Sequence, residues 1–279
     1  MTVLLSLLAA AAYGLGDFNG GIFSKRAGPW AVSLLAQVAS TVLVLGVALA
    51  TGGDPTYGDL AWGVLAGLGN GFGTVFLYRG LASGRMGVVA PVSGVGAVAV
   101  PVLVAVATGE RPGTAVWLGI VLALPAIWLV SREPARMSEG PLGPGSGLLD
   151  GILAGLGFGA LFAALGQIPE SAGFLPLAVN QLVAAFVVVL VAMALRQDWV
   201  PRNRWALGGL ISGVLGALAT GLFQVATQQG YLSVAAVITS LYPAFTVLLA
   251  ALVLREQVHR AQAVGLALCA TAVALVALG

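Results

Sequence analysis

Charge is what this sequence has least of. Its 279 residues carry 12 Lys and Arg, 10 Asp and Glu and one His, so charged side chains make up 8% of the chain, against about 25% in a soluble domain. That leaves too few polar side chains to cover a water-facing surface. The net charge is only +2, and the 12 basic residues are spread as twos and threes between apolar runs, without the basic patch that nucleic acid requires. A single cysteine, Cys269, can close no intrachain disulfide. With His259 as the only other soft ligand, no zinc set can be assembled. Nor is a nucleophile supplied with a base, because His259 falls in a loop and Cys269 in an apolar segment. Enzymatic chemistry is therefore not expected, and neither is a cofactor. The glycine runs at 67–73 and 155–159 have the residues of a phosphate loop but no strand before them.

What fills the chain instead is apolar, 59% of residues with a mean hydropathy of +1.02. Ten apolar segments are predicted, at about 3–23, 30–50, 60–78, 87–107, 115–130, 148–168, 174–195, 205–225, 231–254 and 261–278. Each is close to the ~20 residues that cross a hydrocarbon core of about 30 Å. No basic region precedes the first, which reads as a retained span and not a signal peptide. The lipid bilayer is thus the expected environment. Trp30, Trp62, Trp117, Trp199 and Trp205 sit near predicted interfaces, where an amphipathic ring is favourable. One long polar stretch, 132–147, contains Pro134, Pro141, Pro144 and four glycines, and reads as a linker between two halves, 1–131 and 148–279.

An internal repeat sets the architecture. At an offset of about 146 residues Gly230 falls on Gly84, Val234 on Val88, Ala236 on Ala90, Thr239 on Ser93, Glu256 on Glu110 and Gly265 on Gly119. Two copies of a five-segment unit follow. Five is odd, so the second copy enters the membrane from the opposite side and the repeats are inverted. The expected fold class is an all-α integral membrane protein of ten transmembrane helices in two inverted repeats. Such a pair leaves a pocket at its interface near the midplane and opens it to alternate sides. Lys and Arg concentrate in the loops after segments one, three, five, seven and nine, with Arg111 alone on the other side. The positive-inside rule makes the first set of loops cytoplasmic and puts both termini outside.

Polar groups within spans are costly and mark candidate sites. Asp17 is the one acidic residue well inside a predicted segment, and two readings stay open for it: an ion pair or hydrated helix end, or a site for a proton or a substrate amine. Asn70 falls mid-segment between Gly69 and Gly71, where its amide needs a partner in protein, water or substrate. Gln224 and Gln228 share one face at the end of the eighth segment. Gln167, Asn180 and Gln181 read as helix caps or bridges. Glu110 and Glu256 close the fourth and ninth segments, where a carboxylate opposes the helix dipole, and Arg111, Arg255 and Arg260 are the nearest compensating charges. Pro91 and Pro101 in the fourth segment, Pro125 in the fifth and Pro243 in the ninth each free a backbone carbonyl and predict a kink or a broken helix.

The ninth segment carries a resemblance. Small residues at Ala235 and Ala236, then Ser240, Leu241 and Pro243, then an apolar run ending at Leu254 to Glu256, resemble the EamA branch of the drug/metabolite transporter superfamily. Tyr13 and Gly14 stand where that family has an aromatic-Trp-Gly feature, and Ala97 stands where the second copy has Pro243. The five-plus-five layout is similar over essentially the whole chain. The resemblance implies a carrier of small organic solutes, often amino acids and related metabolites moved outward across a bacterial inner membrane. It also implies cytoplasmic termini, opposite to the charge count. Aromatics on the segments that the family uses for its cavity include Tyr13, Phe18, Tyr78, Phe158, Tyr231 and Tyr242. The candidate substrate-binding set is accordingly Tyr13, Asp17, Asn70, Tyr78, Gln224, Gln228, Tyr231 and Tyr242, with a proton as the coupling ion, no metal, and a monomer as the working unit. The alternative is a multidrug or cationic-compound exporter driven by proton exchange.

Overall fold

The structure, a computed structural model, describes residues 1–82, 86–131 and 147–278, apart from the side chains at 78, 80–82, 86 and 87; most of the predicted linker lies outside the described residues. The helices run α1 (Thr2–Ala27), α2 (Pro29–Thr51), α3 (Tyr57–Ala82), α4 (Met86–Ala107), α5 (Thr114–Ser131), α6 (Leu148–Leu165), α7 (Leu175–Ala194), α8 (Gly208–Gln228), α9 (Leu232–Thr239), α10 (Tyr242–Val253) and α11 (Arg260–Leu278). Among the described residues ten stretches are long and apolar enough to cross a membrane, with α9 and α10 together forming one of them. The protein is therefore a ten-span, all-α membrane protein. In such a solvent the helix is the spanning form that satisfies every backbone N–H and C=O within its own segment.

The ninth span is where the backbone departs from a single rod. Ser240 and Leu241 separate α9 from α10, and Pro243 occupies the first turn of α10. Proline fits there because that turn has no partner for its missing N–H. The first copy has Ala97 at the corresponding place, and α4 runs unbroken through Pro91 and Pro101.

The largest helix contacts recur when the two halves are exchanged. The contact of α3 on α6 is matched by α8 on α1, α3 on α7 by α8 on α2, and α4 on α6 by α9 and α10 on α1; α2 on α7 and α5 on α11 are their own mates. Small residues make this possible. Gly63 and Gly67 on α3 meet the carbonyls of Pro176 and Asn180 on α7, and Gly209 and Gly213, offset by 146, meet those of Val32 and Ala36 on α2. Without a hydrophobic drive between helices in lipid, such close backbone approach supplies the packing. The two larger apolar clusters among the described residues fill the interior. One joins Ala9, Phe162, Phe223 and Ala236, and the other joins Ile120, Ile127, Ile238 and Cys269.

One expected interfacial tryptophan is instead interior. Trp30, only 6% exposed, packs with Val75, Val188 and Ala192, because it sits in the first turn of α2 where that helix meets its neighbours. Trp205 does lie beside charge, with the Arg26 guanidinium 4.4 Å and that of Arg204 5.4 Å from its ring centre.

Candidate functional site

A cavity of about 910 Å³ lies between the halves, lined from α1 to α8, α10 and the start of α11. Its deep part is amide, hydroxyl and aromatic. Its mouth is lined by Lys25, Ser131, Glu256 and His259, which puts the opening at the end bearing the basic loops.

Tyr13 and Asp17 reach the cavity because they are one helical turn apart on the same face of α1. Gly16 and Gly20, on the α8 side of that same cavity-lining stripe, leave room for α8, where Ser212 donates to the carbonyl of Gly16 (3.1 Å) and the Asn19 amide donates to Gly208 O (2.9 Å) and Ser212 Oγ (2.8 Å). Gly14 lets α1 approach α10 closely, since a Cβ there would fall 2.5 Å from that of Phe245 and 2.9 Å from Tyr242 O. That approach sets the ring of Tyr13 5.8 Å from Tyr242 and 6.0 Å, edge to face, from Phe162, which in turn lies 4.7 Å from Phe223. The result is an aromatic patch built from both halves beside the Asp17 carboxylate. Arg79, the cation nearest the end of the third span, pairs with Asp150 instead. Among the described residues the Asp17 carboxylate has no hydrogen bond or ion pair, and its side chain is exposed to the cavity.

Across from it runs a line of hydrogen bonds. The Asn70 amide donates to Gln181 Oε1 (3.5 Å), Gln181 Nε2 donates to Thr220 Oγ1 (3.1 Å), and the Thr220 hydroxyl donates to Gly216 O (2.9 Å). Asn70 belongs to the first half and its partners to the second. Gln37 and Thr74 also line the cavity. Thr74 and Thr220 are 146 apart, and Gln37 and Gln181 are 144 apart, the offset that also relates the carbonyls met by Gly63 and Gly209. The cavity thus carries the same Gln–Thr pair twice.

The opposite end is sealed. The Gln224 amide donates to Gly173 O (3.0 Å) and that of Gln228 to Ile168 O (3.3 Å), while the N–H of Asp54 donates to Ser171 O (2.8 Å). The carboxylate of Glu110 receives the N–H groups of Leu232 and Ser233 and the Ser233 hydroxyl.

Of the eight candidate residues, the structure brings Tyr13, Asp17, Asn70 and Tyr242 together around the cavity. Gln224 and Gln228 are not among its lining residues; their face of α8 continues past the cavity floor at Thr220, where loop carbonyls take their amides. Tyr231 is the residue before α9 and is 46% exposed, outside the cavity lining. The Tyr78 side chain lies outside the described residues. Sequence reasoning passed over Gln37, Thr74, Thr220 and Phe162, and read Gln181 as a bridge. The repeat register pairs Thr74 with Thr220, and that signal was available without a structure.

The comparisons with known proteins agree with this geometry. The model of the EamA-like transporter family matches residues 1–132 and again 145–278. The chain belongs to the EamA-like transporter family. As an EamA-like protein it is a multi-pass membrane transporter of the drug/metabolite transporter superfamily, a family of transporters and not of enzymes. A solved crystal structure is similar at a TM-score of 0.75 and 18% identity, over 99% of this chain and 96% of that one; at that identity the likeness concerns the fold. No curated protein matches the chain.

Proposed function

We propose that this transporter is a secondary carrier that exports small amino-bearing metabolites, amino acids foremost, across a bacterial inner membrane by alternating access. The observation that supports it is a cavity between inverted halves, open at one end and sealed at the other, whose deep part holds one carboxylate, Asp17, among neutral donors. Asp17 and Tyr242 both line the cavity, so an ammonium group bound there gains charge attraction and the negative face of an aromatic ring. A substrate carboxylate finds neutral N–H and O–H donors at Asn70, Gln37 and Thr74. No nucleotide motif is present, so the driving force is a gradient. A proton bound at Asp17 competes with the substrate ammonium for the same carboxylate, which is the simplest form of exchange; the other groups facing that space are Tyr13 and Tyr242, with Lys25, Glu256 and His259 at the mouth. The cavity is enclosed within one chain, which supports a monomer as the working unit.

A second reading is export of larger cationic compounds in exchange for protons. It is favoured by the aromatic lining of Tyr13, Phe158, Phe162 and Tyr242 and by a volume at the upper end of the ~300–1,000 Å³ of small-molecule pockets.

Counterflow separates the two. Purified protein in liposomes preloaded with unlabelled solute is offered labelled amino acids, with and without a pH gradient. Saturable uptake that responds to the gradient is expected. Its absence for every amino acid, with uptake of an aromatic cation instead, rejects the first reading in favour of the second.

A further inference from the structure

Glu110 ends the first half's fourth span, and Leu232 and Ser233 begin the second half's α9. Glu110 Oε1 accepts the N–H of Leu232 at 2.5 Å, while Oε2 accepts the N–H of Ser233 at 3.1 Å and its hydroxyl at 2.6 Å. One side chain therefore satisfies two of the orphan donors of a helix N-terminus and a hydroxyl besides, with its negative charge at the positive end of the dipole. The nearest cation does not compete for it. Arg111 donates to the backbone carbonyls of Val106 (3.2 Å) and Glu110 (2.9 Å). The expected compensation by a neighbouring arginine is thus replaced by the start of a helix from the other half. Between the loops of the sealed end, among the described residues, the side-chain hydrogen bonds that cross from one half to the other all run through Glu110.

Its repeat mate is in the opposite condition. Glu256, 146 residues on, lines the open mouth, is exposed, and among the described residues its carboxylate has no partner. Exchange of the halves exchanges the ends of the molecule, so the two glutamates mark the same point of the cycle on opposite sides. We propose that Glu110 is the latch of the sealed gate and that Glu256 is the matching latch of the other gate, each engaged only while its own end is shut. The inference rests on the alternating-access reading but not on the identity of the substrate.

The test reads accessibility and needs no substrate. In the Cys269→Ser background, Ile168→Cys places a reporter at the sealed end, where Ile168 is 2% exposed and only its backbone carbonyl serves Gln228. Labelling by a membrane-impermeant maleimide is followed from that side in proteoliposomes. Loss of a charge-assisted cap shifts the open population about tenfold, so Glu110→Ala is expected to speed labelling ~10-fold and Ser233→Ala, which removes one of three bonds, ~3-fold. Glu256→Ala is expected to leave labelling unchanged or slower, because it weakens only the opposite closed state. Unchanged labelling in Glu110→Ala, with protein that still elutes as a single folded species, overturns the proposal, as does faster labelling in Glu256→Ala. If Glu110→Ala does not fold, Glu110→Gln and Ser233→Ala decide in the same assay. A carrier with an unexpected substrate leaves these outcomes intact, whereas a protein whose two ends never exchange gives no opposition between the two glutamates.

Discussion

The two halves build the same crossing twice and use it differently. On α6, the run Gly155-Leu156-Gly157 sets Gly155 against α4 and Gly157 against α3; on α1, the run Gly14-Leu15-Gly16 sets Gly14 against α10 and Gly16 against α8. In the first crossing glycine meets glycine, with a Cβ on Gly155 falling 2.9 Å from the Cα of Gly96 and 3.1 Å from Ser93 O. In the second, Tyr242 stands where the repeat has Gly96, and Asp17 stands where the glycine runs align it with Phe158. One seam is shut by backbone on backbone, and the other presents a carboxylate and two tyrosines to the cavity. A duplicated frame supplies the symmetry that alternation needs, and the chemistry enters where the copies have diverged.

Breaking the closed seam is expected to have the largest effect. Gly155→Val forces side-chain atoms into the backbone of α4, where no flexible side chain can yield, so the cost lies at or above the about 1–3 kcal/mol of ordinary overpacking. Thermal unfolding in detergent is expected to show a clear drop in Tm and loss of monodisperse protein. Gly21→Val is the control, since nothing lies within 4 Å of a Cβ at that cavity-lining position. Equal stability of both variants would mean that the α4–α6 seam is looser than its geometry indicates.

Removing the charge from the open seam should leave the fold and cut transport steeply. Asp17→Asn keeps shape and removes the carboxylate that faces the ammonium; losing one partner of such a pair costs about 2–5 kcal/mol, hence a fall in counterflow of about 30-fold or more. The response to a pH gradient is expected to vanish with it. Undiminished transport that still responds to pH would exclude Asp17 from both substrate binding and proton exchange.

The fold was legible because its signals are long. Ten apolar runs and a 146-residue register are each spread over many residues, so no single substitution hides them, and the odd number of spans per copy then implies inversion. Candidate sites were legible only where a residue's depth along its helix determines its role. Asp17, Asn70 and Tyr242 lie deep in their spans and face the cavity, whereas Gln224 and Gln228 share a polar face of α8 that runs from the cavity floor at Thr220 into the sealed end. Periodicity places those three on one line; it does not mark where along that line the cavity stops. Glu110 shows a different limit. Its helix-end position pointed to a nearby arginine, and its actual partner begins a helix 122 residues away, a contact that only the packing of the halves creates. Tyr231 was carried by resemblance to a cavity segment, but it precedes the first turn of α9 and its ring lies outside the helix-lined space.

The smallest effect sharpens the comparison within the open seam itself. Tyr13 and Tyr242 are 5.8 Å apart and both line the cavity, yet the hydroxyl of Tyr13 is buried with no hydrogen-bond partner among the described residues. A buried, unsatisfied hydroxyl costs about 1–3 kcal/mol of desolvation, so Tyr13→Phe is expected to raise stability slightly and to leave the KM of counterflow unchanged, because the ring contacts persist. Tyr242→Phe is expected to leave stability unchanged and to raise KM about threefold, the loss of one hydrogen bond to substrate worth about 0.5–1 kcal/mol. If the two variants behave alike in KM, the tyrosines act as one aromatic wall and neither hydroxyl reads the substrate. If they split as expected, the α10 side of the seam carries the specificity and the α1 side supplies the charge, which assigns the two binding functions to opposite halves of the molecule and so couples substrate occupancy to the movement between them.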